Sequence, residues 1–148
     1  NLCLSLKNLP IPTIAEVYGL AAAAGFQLAS SCDLIVASSK ASFSTPGVKF
    51  GVFCSTPGVP LSRNVSSKIS LKMLFTGEAI DASQAYTHGI VSDLVQVPEK
   101  FNKEENLVEK HVNQIAQQIE SNSKSVVALG KQCFYRQIEQ NDLVNAYN

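Results

Sequence analysis

The residues with chemical potential lie in two turns rich in small side chains. The first is GLAAAAGFQLASSCD, residues 19–33, and the second is FSTPGV, residues 43–48. Small side chains let a ligand carbonyl approach the backbone, and the unpaired N–H groups at a helix start can hold a developing negative charge. Between residues 19 and 38 the only ionisable carboxylate is Asp33. The pattern favours either oxyanion binding without a nearby acid or base, or a tightly packed helix start.

A nucleophilic site is disfavoured in this half of the chain. Cys54 and Ser55 lie in FCSTPG, but the two histidines, His88 and His111, come much later in the sequence. Because a nucleophilic cysteine or serine needs a neighbouring base, we interpret Cys54 as lining a pocket. Ser55 and Thr45 can hydrogen-bond a substrate or an ordered water.

The remaining charged residues near these turns are interpreted as structural. Asp33 follows the first turn at the start of a strand, where capping or a buried hydrogen bond is expected. Glu16 is expected to be solvated or paired, and Lys49 to be a surface lysine.

Elements that position these residues follow from the apolar pattern. Residues 2–9 are predicted as the end of a helix that prolines stop. Strands are predicted over residues 12–18, 32–37, 41–45 and 90–97, and helices over residues 21–31, 66–76, 99–120 and 125–140. Gly77 is the expected C-cap of one helix and Asp81 the expected N-cap of a further short one. Residues 46–60, with three glycines and three prolines, are predicted to form a loop.

Length and composition exclude several classes of protein. The 148 residues are about one domain, and the 12 basic and 12 acidic residues cancel, so no global field attracts nucleic acid. The longest uncharged apolar run, residues 17–26, is far shorter than the ~18–20 residues that span a bilayer. The four cysteines show no CxxC spacing, which disfavours a zinc or redox motif and favours a reducing compartment. The first residue is Asn rather than Met, so a processed or cut product is expected.

Three stretches resemble the enoyl-CoA hydratase/isomerase (crotonase) superfamily. They are IPTIAEVYGLAAAAGFQLASSCDLIVASSKASFSTPGVKFGV, LFTGEAIDASQAYTHGIVSDLV and SKSVVALGKQ, and they occur in the family's order over most of the chain. The resemblance implies an α/β fold, the crotonase (ClpP-like) spiral of ββα units with a C-terminal helical region, present here as an N-terminally truncated fragment. Residues 1–97 would form the C-terminal part of the spiral core. Residues 98–148 would form an incomplete helical region for oligomerisation and pocket closure.

The resemblance also implies a site. The family holds the thioester oxygen of an acyl-CoA with two backbone N–H groups, of which Ala24 would supply the second and a residue upstream of Asn1 the first. The family's hydratases use two glutamates, and their positions hold Gln27 and Gly47. Glutamine exchanges no proton near neutral pH, and losing one general acid or base costs about 10²–10⁴ in rate. The expected substrate-binding residues are Ala23, Gln27, Gly47, Cys54 and Ser55.

Three functions remain open from the sequence. The first is an acyl-CoA-binding protein of mitochondrial fatty acid metabolism without hydratase activity. The second is an acyl-CoA lyase such as a malonyl-type-CoA decarboxylase, in which Gly47 leaves room for an extra carboxylate and Gln27 hydrogen-bonds it. The third is a non-catalytic interaction subunit.

The resemblance further implies the ligands and partners. We expect a coenzyme A thioester as substrate or ligand, no other cofactor and no metal. The full-length protein is expected to be a mitochondrial homotrimer or hexamer that contacts neither nucleic acid nor membrane.

Overall fold

The described strands form two small three-stranded sheets. In the computed structural model, which describes residues 2–98, 104–140 and 142–147, one sheet has the order β1-β3-β6 and the other β2-β4-β5. All pairings are parallel except that of β4 with β5. The strands are β1 Ile14–Val17, β2 Leu20–Ala22, β3 Leu34–Ser38, β4 Ser42–Ser44, β5 Ile80–Asp81 and β6 Asp93–Val95.

Helices connect these strands and follow them. They are α1 Leu2–Asn8, α2 Ala24–Ser30, α3 Ser55–Asn64, α4 Ser67–Thr76, α5 Ala82–Thr87, α6 Glu104–Glu120, α7 Lys124–Ile138 and α8 Leu143–Tyr147, with a short 3₁₀ helix at Pro46–Phe50. The order β1-β2-α2 and then β3-β4-α3 gives two successive ββα units, as expected for the fold class. Each unit places its first strand in one sheet and its second strand in the other.

The main core lies between the sheets and helices α2 to α5. Its centre is the edge-on contact between Phe26 of α2 and Phe43 of β4, both fully buried, with ring centroids 6.3 Å apart. Leu61 of α3 and Met73 of α4 are also buried in this cluster. A second cluster joins Val36 of β3 to the apolar stripe of α6. β3 is therefore buried on both faces, because it contacts the two clusters through alternate residues.

Local signals placed several element ends correctly. Gly77 ends α4 in the left-handed conformation with φ 65°, and its N–H bonds to the Met73 carbonyl. Asp81 and Gln84 form a capping box at the start of α5. Helix caps of this kind depend only on neighbouring residues, which is why the sequence predicts them.

Two expectations were wrong. Residues 21 and 22 of the predicted helix belong to β2, because this strand pairs with β4 from Leu20↔Ser42 to Ala22↔Ser44. Residues 55–60 of the predicted loop lie in α3. Proline at position 57 is tolerated there because the first-turn N–H groups of a helix have no intrahelical partner.

α6 and α7 correspond to the helices predicted over residues 99–120 and 125–140, and their described ends agree with the prediction within two residues, apart from the start of α6. α6 begins at Glu104, and residues 99–103 of the prediction lie outside the described residues. The separation into residues 1–97 and 98–148 stays a prediction, although the described strands all end by Val95. Among the helices of the described residues, none combines the length and apolar composition needed to cross a bilayer.

Candidate functional site

The turn between β2 and α2 has an unusual backbone. Ala23 has φ 49° and ψ −116°, and it is the only non-glycine residue with positive φ among those described. Its N–H bonds to the Ser44 carbonyl at 3.1 Å, and its own carbonyl accepts the Gln27 N–H at 2.9 Å. Residues other than glycine rarely adopt a positive φ, so these two hydrogen bonds hold a strained residue in place.

Ala24 follows the strained turn directly. Ala24 is the first residue of α2, is exposed, and has no hydrogen-bond partner for its N–H within the described part of the chain. No side chain caps the helix at Ala23. The N–H that the resemblance assigns to position 24 is therefore unpaired within the described part of the chain.

Gln27 lies one turn further along α2 and is half-buried. Its Nε2 donates to the Sγ of Cys3 in α1 at 3.7 Å, a weak hydrogen bond that ties the amide to that helix. Among described residues the amide therefore has a structural partner already.

Gly47 lies beyond the end of β4, in the 3₁₀ helix Pro46–Phe50, and is buried against Cys54. The Gly47 N–H donates to Cys54 Sγ at 3.2 Å. A Cβ added at Gly47 would lie 2.8 Å from that sulfur and 2.8 Å from the Val52 carbonyl oxygen. The position that a Cβ would take at Gly47 is therefore occupied, because the following loop folds back against it. Ser55, expected beside Cys54, is exposed at the start of α3.

Strand pairing brings the two turns together. β2 and β4 run parallel with Ala22 opposite Ser44, so both chains leave the sheet at the same edge. The bond from Ala23 N–H to the Ser44 carbonyl continues this pairing. Ala23 and Ala24 therefore lie at the sheet edge from which Thr45, Pro46 and Gly47 also depart.

Asp33, interpreted from the sequence as structural, is the centre of a partly buried hydrogen-bond cluster. We call Thr13, Asp33, Lys131 and Tyr135 the Asp33 cluster. Asp33 Oδ2 accepts from the Thr13 N–H at 2.6 Å and from Lys131 Nζ at 2.7 Å, and Oδ1 accepts from Tyr135 Oη at 2.7 Å. Lys131, only 9% exposed, also donates to the carbonyls of Leu6 and Ile11 at 2.8 and 2.9 Å.

The cluster shifts the protonation equilibria of its members. Burial acts to raise the pKa of Asp33, but hydrogen bonds from Lys131, Tyr135 and Thr13 outweigh it and hold that pKa below its ordinary value. Burial and the neighbouring carboxylate raise the pKa of Tyr135, and burial raises the pKa of Cys32. Asp33 therefore stays ionised with every strong donor around it engaged, which confirms its structural role.

Other charged groups are also paired. Glu16 accepts from the Tyr18 hydroxyl, and Lys49 forms an exposed ion pair with Glu78 at 2.9 Å. His111 of α6 is half-buried, with Nε2 3.4 Å from Asp93 Oδ1. Over residues 2–98, 104–140 and 142–147, no group of three or more potential metal ligands is assembled.

An open groove of about 530 Å³ runs along β1 and β2 beside α2. Gly25, Leu28 and Cys32 line it from α2 and its C-terminal end, and Leu6 lines it from α1. Ala24 and Gln27 are not among its lining residues. The groove therefore borders the α2 turn without containing the free amide.

Sequence reasoning missed the partners of Asp33. Lys131 and Tyr135 are 98 and 102 residues away from it in sequence, so no local spacing signals the contact. The one available sign is a lysine one helical turn before a tyrosine in an amphipathic helix, which is too common to identify a pairing.

Comparisons with known proteins agree with this geometry. The family model described as enoyl-CoA hydratase/isomerase matches residues 1–148. The chain is 54% identical over 142 residues to human "Enoyl-CoA hydratase domain-containing protein 3, mitochondrial", covering 96% of this chain and 44% of that protein. The crystal structure of human enoyl-CoA hydratase domain-containing protein 3 superposes with a TM-score of 0.87 at 50% identity, covering 98% of this chain and 54% of that one.

A bacterial structure supports the same fold. The crystal structure of an enoyl-CoA hydratase from Mycobacterium smegmatis has a TM-score of 0.89 at 42% identity, covering 98% of this chain and 53% of that one. The chain thus spans about half the length of the relatives it matches, and the crotonase fold expected from the resemblance is confirmed. With its whole length matched by the family model, the chain belongs to the enoyl-CoA hydratase/isomerase family.

Proposed function

We propose that the protein binds acyl-CoA thioesters and lacks enoyl-CoA hydratase activity. The observation that carries this proposal is the pair of residues at the two customary glutamate positions, Gln27 and Gly47. Hydration of a double bond needs one group to activate water and another to deliver a proton. Neither an amide nor a glycine performs either step at neutral pH.

The packing around Gly47 supports the loss of the second group. Cys54 Sγ and the Val52 carbonyl occupy the space that a side chain at position 47 would enter. A glutamate could enter only if the loop moved.

Other carboxylates on the same elements are poor replacements. Asp33 is held by Lys131, Tyr135 and Thr13, and Glu16 is paired with Tyr18. A general base must reach the reacting atoms with a free lone pair and a suitable pKa. The lowered pKa of Asp33 makes it a weak base.

Ligand binding is supported by the Ala24 N–H, which is exposed and unpartnered among described residues. Ala23, in its strained conformation, directly precedes it. Strain of this kind costs stability and persists where the surroundings over-determine it, as at ligand sites. The mitochondrial location named for the human relative and the homotrimeric or hexameric assembly of the family are proposed for the full-length protein on the same resemblance.

The two alternatives have less support. A malonyl-type decarboxylase was expected to use free space at Gly47 for a carboxylate, and the position that a Cβ would take there is occupied. A non-catalytic interaction subunit would have no need for the strained Ala23 turn. Carbon dioxide release from malonyl-CoA would favour the first of these, and failure to bind any acyl-CoA would favour the second.

Two measurements on the full-length protein test the proposal. Calorimetry with butyryl-CoA is expected to give saturable binding in the micromolar range. Hydration of crotonyl-CoA, followed by loss of its enoyl absorbance, is expected to stay far below the ~10 s⁻¹ typical of enzymes. Turnover within about tenfold of that value would refute the proposal.

A variant at Ala24 isolates the backbone donor. Ala24→Pro removes the N–H at the first helical position, and because proline also restricts the residue before it, the controls below must show that the Ala23 turn is kept. Butyryl-CoA is expected to bind about 5–10-fold more weakly, the usual worth of a hydrogen bond, while free coenzyme A, which has no thioester carbonyl, is unaffected. Thermal unfolding checks that the variant folds. Equal weakening for both ligands would show that this amide does not hold the thioester.

A further inference from the structure

An apolar groove lies between the segment before β1 and the corner that joins α6 to α7. Its volume is about 280 Å³. Pro12 and Ile14 line it from the segment before β1, Ala116 and Ile119 line it from α6, and Val127 lines it from α7. The residues of the candidate site described above are not among its lining residues. We call it the α6–α7 groove.

The α6–α7 groove continues the second core cluster. Val108 and Val112 of α6 are buried against Val36 of β3, and Ile14 packs against the same cluster. Ile119 lies two turns after Val112 on the apolar stripe of α6, yet it is only half-buried. Because the stripe continues past the cluster, an apolar group bound in the groove would extend the core and lose contact with water.

Hydrogen bonds fix the wall formed by the segment before β1. The Ile11 carbonyl accepts from Lys131 Nζ at 2.9 Å. The Thr13 N–H donates to Asp33 Oδ2 at 2.6 Å. Pro12 lies between these two anchors, and its ring restricts the backbone further. This wall is therefore formed before any ligand arrives, which lowers the ordering cost of binding.

Two charges of opposite sign line the α6–α7 groove. Glu120 is the last residue of α6 and Lys124 the first of α7, and both are exposed. Over residues 2–98, 104–140 and 142–147, neither forms an ion pair. A carboxylate at a helix C-terminus and an ammonium at a helix N-terminus both oppose the helix dipole. Helix stability therefore explains neither charge, and both can pair with a ligand.

We propose that the α6–α7 groove binds a free α-amino acid with an aliphatic side chain. The ammonium group of the ligand pairs with Glu120, its carboxylate pairs with Lys124, and its side chain packs against Ile14, Ile119 and Val127. At roughly 30 Å³ for each water-sized group, a volume of about 280 Å³ holds about nine non-hydrogen atoms, which is the size of leucine.

The pair of charges favours a zwitterion over other amphipathic ligands. The carboxylate of a fatty acid could pair with Lys124 but would also lie near Glu120, and like charges repel. An aliphatic amine would meet the converse repulsion from Lys124. A ligand with both charges next to its apolar part avoids both penalties.

The experiment is calorimetry of L-leucine with the full-length protein. Saturable binding is expected with a Kd of about 1 mM or lower, as befits so small a ligand. Octanoate and hexylamine, with one charge each, are expected to bind at least about 5-fold more weakly. Glu120→Gln and Lys124→Met should each weaken leucine binding by about 3–10-fold, as expected for a charged hydrogen bond partly exposed to solvent.

Two further variants locate the ligand. Ala116→Leu places a larger side chain in the α6–α7 groove and is expected to abolish leucine binding. Lys110→Met removes an exposed lysine of α6 that does not line this groove, and is expected to leave leucine binding unchanged. Thermal unfolding checks that each variant folds.

Four results would overturn the inference. They are no saturation by about 10 mM leucine, octanoate binding as tightly as leucine, unchanged leucine binding in Ala116→Leu, and equal weakening in Lys110→Met and Lys124→Met. None of these results bears on acyl-CoA binding, because the groove and the residues proposed to hold the thioester are separate.

Discussion

Replacing Lys131 by methionine tests the strongest polar tie between α7 and the core. The Lys131 Nζ makes three hydrogen bonds, to Asp33 Oδ2 at 2.7 Å and to the Leu6 and Ile11 carbonyls at 2.8 and 2.9 Å. Its side chain is 5% exposed and that of Asp33 is 15% exposed. Methionine has a similar length and removes only the charge and its donors.

The expected cost follows from what the substitution leaves behind. Removing one partner of a buried ion pair typically costs about 3–5 kcal/mol, because the other charge stays buried without compensation. Asp33 would keep its bonds from Thr13 and Tyr135, so we expect the lower end, about 3 kcal/mol. For a domain of this size that corresponds to a fall in Tm of roughly 6–12 °C.

The assay is urea unfolding of the full-length protein at neutral pH, with two matched variants. Lys124→Met changes an exposed lysine of the same helix that has no ion-pair partner among the described residues, and should alter the unfolding free energy by less than about 0.5 kcal/mol. Asp33→Asn combined with Lys131→Met removes both charges, and should be more stable than Lys131→Met alone by about 1–2 kcal/mol.

Two results would refute this reasoning. A loss below about 1 kcal/mol in Lys131→Met would mean that the buried pair contributes no more than a surface pair. Additive effects of the two substitutions in the double variant would mean that Asp33 and Lys131 do not act together.

Three further predictions concern the turns and the same carboxylate. Ala23→Gly should raise the unfolding free energy by about 1 kcal/mol in thermal melts, because relief of roughly 1–3 kcal/mol of strain exceeds the entropy cost of glycine; a lower Tm would contradict this. Gly47→Ala should destabilise by about 1–3 kcal/mol, whereas Gly130→Ala, with open space around its Cβ, should not destabilise, and equal effects would discount the contact with Cys54. Since the pKa of Asp33 is below its ordinary value of 3.8, its contribution is present above that pH and is lost on acidification through the folded pKa. Urea titrations below about pH 4 should thus show a steeper loss in the wild type than in Asp33→Asn, and parallel curves would argue against the ionised carboxylate.

Features that depend on neighbouring residues were predictable from the sequence. The helix ended by Gly77 and the cap formed by Asp81 need only residues within one turn. The apolar run of β3 likewise signals burial on both faces. The absence of proton-transfer side chains at Gln27 and Gly47 is also a property of the sequence, once the family resemblance identifies the positions.

The tertiary structure alone decided features that depend on distant partners. Residues 21 and 22 have the composition of a helix, yet they belong to β2 because β4 pairs with this strand. Residues 55–60 looked like a loop because of their prolines and glycine, but packing of α3 against α2 stabilises a helix there.

The candidate site likewise combines features that the sequence determines with features that only the fold determines. The sequence determined which groups are available: a backbone amide at Ala24, an amide at Gln27 and no side chain at Gly47. Only the folded chain placed Cys54 Sγ in the space beside Gly47, buried the Thr45 hydroxyl, and joined Asp33 to Lys131 across 98 residues. The physical reason is that side-chain type follows from the residue itself, whereas burial, free space and pairing depend on which distant segments fold against it.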